Sequence, residues 1–148
     1  MKRLHRHHIF LASILAVIIG MSACGEDVWD ELPAPISSFI AQYFPGVGIS
    51  SYSEHDDCYY VDIRNDASLT FGYDYKWTDI NGNGSVLPAD MMLDQLPADL
   101  YDYLESTESV GGVYAIRRTL HTYYIQLRNS SLEYDVATHT VTDPAMIQ

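Results

Sequence analysis

The sequence predicts an α+β protein of two tandem units, each a helix followed by four short strands, with the helices packed on one side of an antiparallel sheet. Three observations predict it. The phrase C-Y-Y-V-D-I-R-N at 58–65 returns 64 residues later as T-Y-Y-I-Q-L-R-N at 122–129. Leu32-Pro33-Ala34 returns at the same offset as Leu96-Pro97-Ala98. After each Leu-Pro-Ala comes a helical spacing of apolar residues, then short alternating runs separated by turn residues.

The N-terminus comes first. Residues 1–8 are basic through Lys2, Arg3 and Arg6, and an apolar run fills 9–20. That run falls short of the roughly 20 residues that a helical membrane span needs. A basic start, a short apolar stretch and small residues before Cys24 describe a signal segment over 1–23. Met21-Ser22-Ala23-Cys24 resembles the lipobox of bacterial lipoproteins, which makes Cys24 the expected lipidation site. Residues 24–31 follow as an acidic tether, with Glu26, Asp27, Asp30 and Glu31. Acidic residues in that place resemble the surface-export signals of Bacteroidetes lipoproteins. The expected address is extracytoplasmic: an outer-membrane lipoprotein, on the periplasmic side or at the cell surface.

The first unit is expected over 32–80. Ile36, Phe39, Ile40 and Tyr43 fall at i, i+3, i+4 and i+7 of a helix, which Phe44-Pro45-Gly46 ends. Proline near the start of that helix costs nothing, because the first N–H groups have no partner there anyway. Four strands are read at 49–54, 58–65, 69–73 and 77–80. A linker is read at 81–95. The second unit, 96–143, repeats the order: Leu100, Tyr103 and Leu104 on a helix ending before Gly111-Gly112, then strands at 113–118, 122–129, 132–135 and 140–142. After the Asn turn the offset falls to 63, so Phe71 answers to Tyr134. Residues 144–148 form a tail.

Alternation assigns faces. Tyr59, Val61 and Ile63, with Tyr123, Ile125 and Leu127, should pack on the helices. Tyr60, Asp62 and Arg64, with Tyr124, Gln126 and Arg128, should line the opposite, open side. The phase of 113–118 is ambiguous: Tyr114 and Ile116 suggest one face, Val113 and Ala115 the other.

The formal charge of the whole sequence is −12. Without 1–23, five basic residues (Arg64, Lys76, Arg117, Arg118, Arg128) stand against all twenty acidic ones, a formal charge of −15. So acidic a chain is excluded from general electrostatic binding to nucleic acid or anionic lipid. The membrane is reached through the lipid anchor only. Cys24 and Cys58 are the only cysteines, and lipidation of Cys24 leaves no internal disulfide to form.

Two Leu-Pro helices, two Tyr-Tyr strands and two later strands ending in Tyr73-Asp74 and Tyr134-Asp135 resemble the PepSY-like, beta-lactamase-inhibitor-like domains of Bacteroidetes secreted proteins and lipoproteins. The resemblance spans roughly 30–143. It implies that the sheet is curved, and that its open concave face and hairpin loops hold a protein partner.

Chemistry-bearing motifs are few. Asp79-Ile80-Asn81-Gly82-Asn83-Gly84 fits the opening of a calcium loop, with Asp79, Asn81, Asn83 and Asp90 as side-chain ligands. The same residues are also ordinary Asn-Gly turn chemistry at a junction between units. Glu54-His55-Asp56-Asp57 reads as a solvated turn. No nucleophile elbow and no His-Glu-x-x-His sequence occurs, so no catalytic residues and no resident cofactor are expected, calcium apart. The expected function is contact with an unknown protein partner, as an inhibitor or otherwise, through Tyr60, Asp62, Arg64, Tyr124, Gln126 and Arg128. The alternative is an envelope protein that binds a small ligand or calcium. An enzyme is not expected.

Overall fold

The structure, a computed structural model, describes residues 28–143. The signal segment 1–23, Cys24, the first part of the tether and the tail 144–148 lie outside the described residues.

Eight strands form one antiparallel sheet in sequence order. They are β1 (Ile49–His55), β2 (Cys58–Ile63), β3 (Ser68–Gly72), β4 (Trp77–Asn81), β5 (Val113–Arg118), β6 (Thr122–Leu127), β7 (Ser131–Asp135) and β8 (Thr140–Thr142). Helix α2 (Ala34–Tyr43) precedes the first four strands, and α4 (Ala98–Ser106) precedes the second four. The two repeats are one continuous sheet, because β4 pairs with β5 through Ile80 and Ile116. The two Tyr-Tyr phrases are therefore the same second strand, used twice.

Each helix begins on a proline, Pro33 or Pro97, and no side chain caps either start. The buried residues of α2 are Ile36, Ile40 and Tyr43, and those of α4 are Leu100 and Leu104. Tyr103 departs from the expected stripe: it is 37% exposed, and Tyr101 packs against the core instead. Beneath the helices lie Tyr59, Val61, Ile63, Leu69, Phe71, Ile80, Ile116, Ile125 and Leu132, all buried. That is the face alternation assigned, with Tyr123 and Leu127 packed against it partly buried; Tyr73, in phase with Leu69 and Phe71, lies past the end of β3 and is 70% exposed instead. Phe39 packs edge-on against Phe71 at 5.5 Å, joining α2 to the sheet.

Two helices stand where the sequence pattern predicts none. The tether ends in a single turn, α1 (Val28–Glu31), and the linker contains α3 (Ala89–Gln95). Met91 and Met92 of α3 are fully buried. Gln95 secures α3 in both directions. Its Oε1 accepts the Trp77 indole N–H at 3.1 Å, and its Nε2 donates to the Tyr43 hydroxyl at 3.0 Å. That hydroxyl donates to Asp94 at 3.2 Å. The linker is thus part of the core.

The ambiguous phase of β5 has a physical origin. A bulge lies between Val113 and Ala115, and an extra residue in a strand switches the face of the residues after it. Val113 and Ile116 are therefore both buried. At the same position in the first unit, β1 shifts register between Ile49 and Ser51.

Candidate functional site

The open side of the sheet is built by register. Reading across the pairings, Tyr60 lies beside Thr70, Thr70 beside Asp79, Asp79 beside Arg117, Arg117 beside Tyr124, and Tyr124 beside Glu133. One step along the strands, a second row runs Asp62, Ser68, Asn81, Ala115, Gln126, Ser131. Directly opposed side chains on one face sit about 5 Å apart, so each row is a continuous surface. No element of the described residues covers it.

The six residues expected on this face have different local partners. Asp62 accepts hydrogen bonds from Ser51 and Ser68, both at 2.7 Å. Those bonds, that from Ser68 first, hold its carboxyl below the ordinary aspartate value. Tyr60 is half-buried and stacks on His55 at 4.1 Å; burial raises its hydroxyl above the ordinary value. Arg64 and Arg128 lie one residue beyond the ends of β2 and β6, in the turns that follow. Arg64 lies over Gly48, and the Arg128 Nη2 donates to the Tyr114 hydroxyl at 3.0 Å. Gln126 donates to the carbonyls of Leu127 and Ser130 at 2.8 and 3.1 Å. Tyr124 is open to solvent, at 43% exposure.

Tyr124 borders a hollow of about 430 Å³ in the middle of the face. Ala115 sits between Asn81 and Gln126 in the second row and supplies only a methyl group there. Asp79, Arg117, Glu133 and Ser131 line the rest. The Arg117 Nε donates to Asp79 at 2.7 Å, and that pairing raises the guanidinium pKa further. Position by position, the first unit has Ser53 for Arg117 and Thr70 for Glu133. The hollow is therefore shaped by residues particular to the second repeat, with Asp79 and Asn81 of β4 closing its edge, a difference that the shared Tyr-Tyr phrase concealed.

The four residues of the calcium reading are engaged in different ways. Asp79 is engaged by Arg117. Asn81 Oδ1 accepts the Asn83 N–H at 2.8 Å, and the Asn83 side chain donates to the Asp66 carbonyl and the Ser68 hydroxyl. Asp90 opens α3 in the helix layer. Among the described residues no group of three or more His, Cys, Asp or Glu converges. His55 and Asp56 approach at 3.4 Å in an exposed turn.

One cluster had no sequence signal. The Tyr134 hydroxyl lies 2.9 and 2.8 Å from the two Asp99 oxygens and 3.1 Å from His139 Nδ1, which is itself 2.7 Å from Asp99. Burial, then Asp99, pushes Tyr134 up to about 12, while the Tyr134 and His139 hydrogen bonds lower Asp99. Asp99 begins α4 and His139 sits in the turn before β8, so the three residues tie the helix to the last hairpin.

No protein-family model matches the chain, and no curated protein matches it. Solved structures share the fold. One, from Bacteroides vulgatus ATCC 8482 and described as a periplasmic protein of the DUF2874 family, is 23% identical over 78% of this chain and 91% of its own, with a TM-score of 0.67. Another, from Bacteroides thetaiotaomicron, is described as a calcium-regulated periplasmic protein. It is 20% identical over 78% of this chain and 91% of its own, with a TM-score of 0.64. A third, also from Bacteroides vulgatus ATCC 8482 and of unknown function, is 17% identical over 77% of this chain and 94% of its own, at 0.60.

Proposed function

We propose that the protein is an extracytoplasmic, lipid-anchored binding protein and not an enzyme, and that its open sheet face contacts a protein partner. The observation that carries the reading is the pair of side-chain rows crossing the sheet without a covering layer of described residues. They include a hollow beside an exposed tyrosine. Tyrosine and arginine are favoured at interface centres, and Tyr60, Tyr124 and Arg117 lie in one row. The basic-apolar-Cys24 start and the description of fold neighbours as periplasmic support the address. The PepSY-like resemblance supports the mode of contact, with inhibition as its sharpest form.

The test is affinity capture from envelope extract with the wild type and the Tyr60→Ala/Tyr124→Ala variant, quantified side by side. Partners held by the wild type should be lost from the folded double variant. Retention of every partner by that variant overturns the reading.

A second reading, a calcium-binding envelope protein, is favoured by the Asp79–Gly84 motif and by the description of one fold neighbour as calcium-regulated. Binding to the folded chain would raise its melting temperature by mass action. A melting temperature unchanged between calcium and chelator removes this reading.

A further inference from the structure

The four hairpin turns 55–58, 72–77, 118–122 and 135–140 lie at one end of the sheet, as the meander order requires. There, on the helix side, the turns at 72–77 and 118–122 and Pro97 border a cleft of about 400 Å³. Arg117 and Arg118 are neighbours on β5 and point to opposite faces. Arg117 serves the open face, and Arg118 lines this cleft.

Arg118 is held in place before any ligand arrives. Its guanidinium carbon lies 4.4 Å from the centre of the Trp77 ring, and its Nε donates to the Trp77 carbonyl. Trp77 is in turn buried and fixed to Gln95. Among the described residues the terminal nitrogens of Arg118 have no acceptor. A fixed, half-buried guanidinium with free terminal donors suits a carboxylate, which it can meet with two parallel hydrogen bonds. Arg117 is committed to Asp79 and Lys76 to Asp74; the Asp74 carboxylate, which also lines the cleft, acts on Arg118 through space without hydrogen-bonding it, so the terminal donors of Arg118 stay open to a second carboxylate.

The lining is mixed, but the turn tips beside the cleft expose more apolar surface than one small acid would cover. Leu120 at one tip is 88% exposed, and Tyr73 at the adjoining tip is 70% exposed. Tyr75, beside it, holds a left-handed backbone with φ near 60°, a conformation that costs a bulky residue energy. Its ring stacks on Tyr59 at 5.3 Å. That stack fixes the shape of the turn that presents Tyr73.

We propose that this cleft is a second binding site, taking an extended peptide segment of a partner protein whose carboxylate side chain sits on Arg118 between apolar side chains that cover Leu120 and Tyr73. The site selects an acidic segment although the chain as a whole is strongly acidic, because a charge-assisted pair at contact distance outweighs a screened general field. It lies on the other side of the sheet from the open face, so it is independent of the function proposed above.

The test is a titration of the isotope-labelled protein with two blocked tripeptides, acetyl-Phe-Asp-Leu-amide and acetyl-Phe-Asn-Leu-amide, read by nuclear magnetic resonance at the Trp77 indole and at the amides of 74–78 and 118–123. The aspartate peptide should give saturable shifts there and bind roughly tenfold more tightly than the asparagine peptide. Arg118→Gln should abolish the difference between peptides, and Arg118→Lys should keep part of it. Should Arg118→Gln fail to fold, Leu120→Ala, at a fully solvated tip, should weaken both peptides while preserving their ratio. Absence of saturable shifts, equal binding of the two peptides, or a preference that survives in Arg118→Gln overturns the proposal and leaves Arg118 as a cover for Trp77.

Discussion

Tyr134 is 1% exposed, yet its hydroxyl reaches Asp99 and His139. Its counterpart in the first unit is Phe71, and the counterpart of Asp99 is Pro35. The second unit therefore joins helix to hairpin with polar contacts where the first uses apolar packing. Tyr134→Phe should cost about 1 kcal/mol by chemical denaturation, the scale of one hydroxyl hydrogen bond, since Asp99 keeps His139 and water. The alkaline behaviour has a definite sign. A tyrosine raised from 10.0 to about 12 stabilises the fold below pH 10, and that contribution is lost as pH rises towards 12. Tyr59 is raised as well, chiefly by the neighbouring Tyr75 and then by burial. Tyr134→Phe should flatten the alkaline loss of stability without abolishing it, which melting curves across that window would show. None of this was legible in the sequence, because Asp99 and His139 are far apart in the chain and meet only when α4 docks.

At the scale of elements, the repeat made most of the fold legible. Two copies of one pattern fixed the strand order, and alternation within the Tyr-Tyr phrase separated Tyr59, Val61 and Ile63 from Tyr60, Asp62 and Arg64 as the burial now has it. Where the pattern was ambiguous, at 113–118, the chain has a bulge. Helix α3 escaped detection because Met91, Met92 and Leu93 are consecutive and show no helical period, and because Asn-Gly pairs and Pro88 before them read as linker. The burial predicts its weight. Met92→Ala should cost about 2–4 kcal/mol, as for other fully buried large side chains, whereas Leu93→Ala, at a residue 58% exposed, should be nearly neutral in the same denaturation series. Gly82 is the tight point between the repeats. It donates its N–H to the Tyr114 carbonyl at 2.8 Å, and a Cβ there would stand 2.1 Å from the Ser85 carbonyl oxygen. Gly82→Ala should therefore destabilise by about 2 kcal/mol or more, more than an alanine at open Gly111.

For the whole molecule, charge and layering dominate. Outside residues 1–23, five basic residues against twenty acidic ones leave a large self-repulsion. Added salt should screen it, so the urea midpoint should rise between low and physiological ionic strength. Acid acts through other groups. Asp62, Asp74, Asp99 and Asp135 are all held below the ordinary aspartate value by hydrogen bonds. Their contribution is present above that value and fades as pH falls through the lowered ones. The layering was legible as a fold, with helices on one side and an open face on the other. The hollow over Ala115 was not, because it depends on which residues oppose each other across β4, β5, β6 and β7. The same cross-strand geometry makes the face a surface on which a partner can be sought by position. The most direct measurement places a photo-crosslinking residue in living cells at Gln126 or Asn81 on the open face, and at Asp102 on the solvent side of α4. Contact through the open face predicts one shared protein adduct from positions 126 and 81 that is absent from 102; no adduct from the open face, or the same adducts from all three positions, would contradict it.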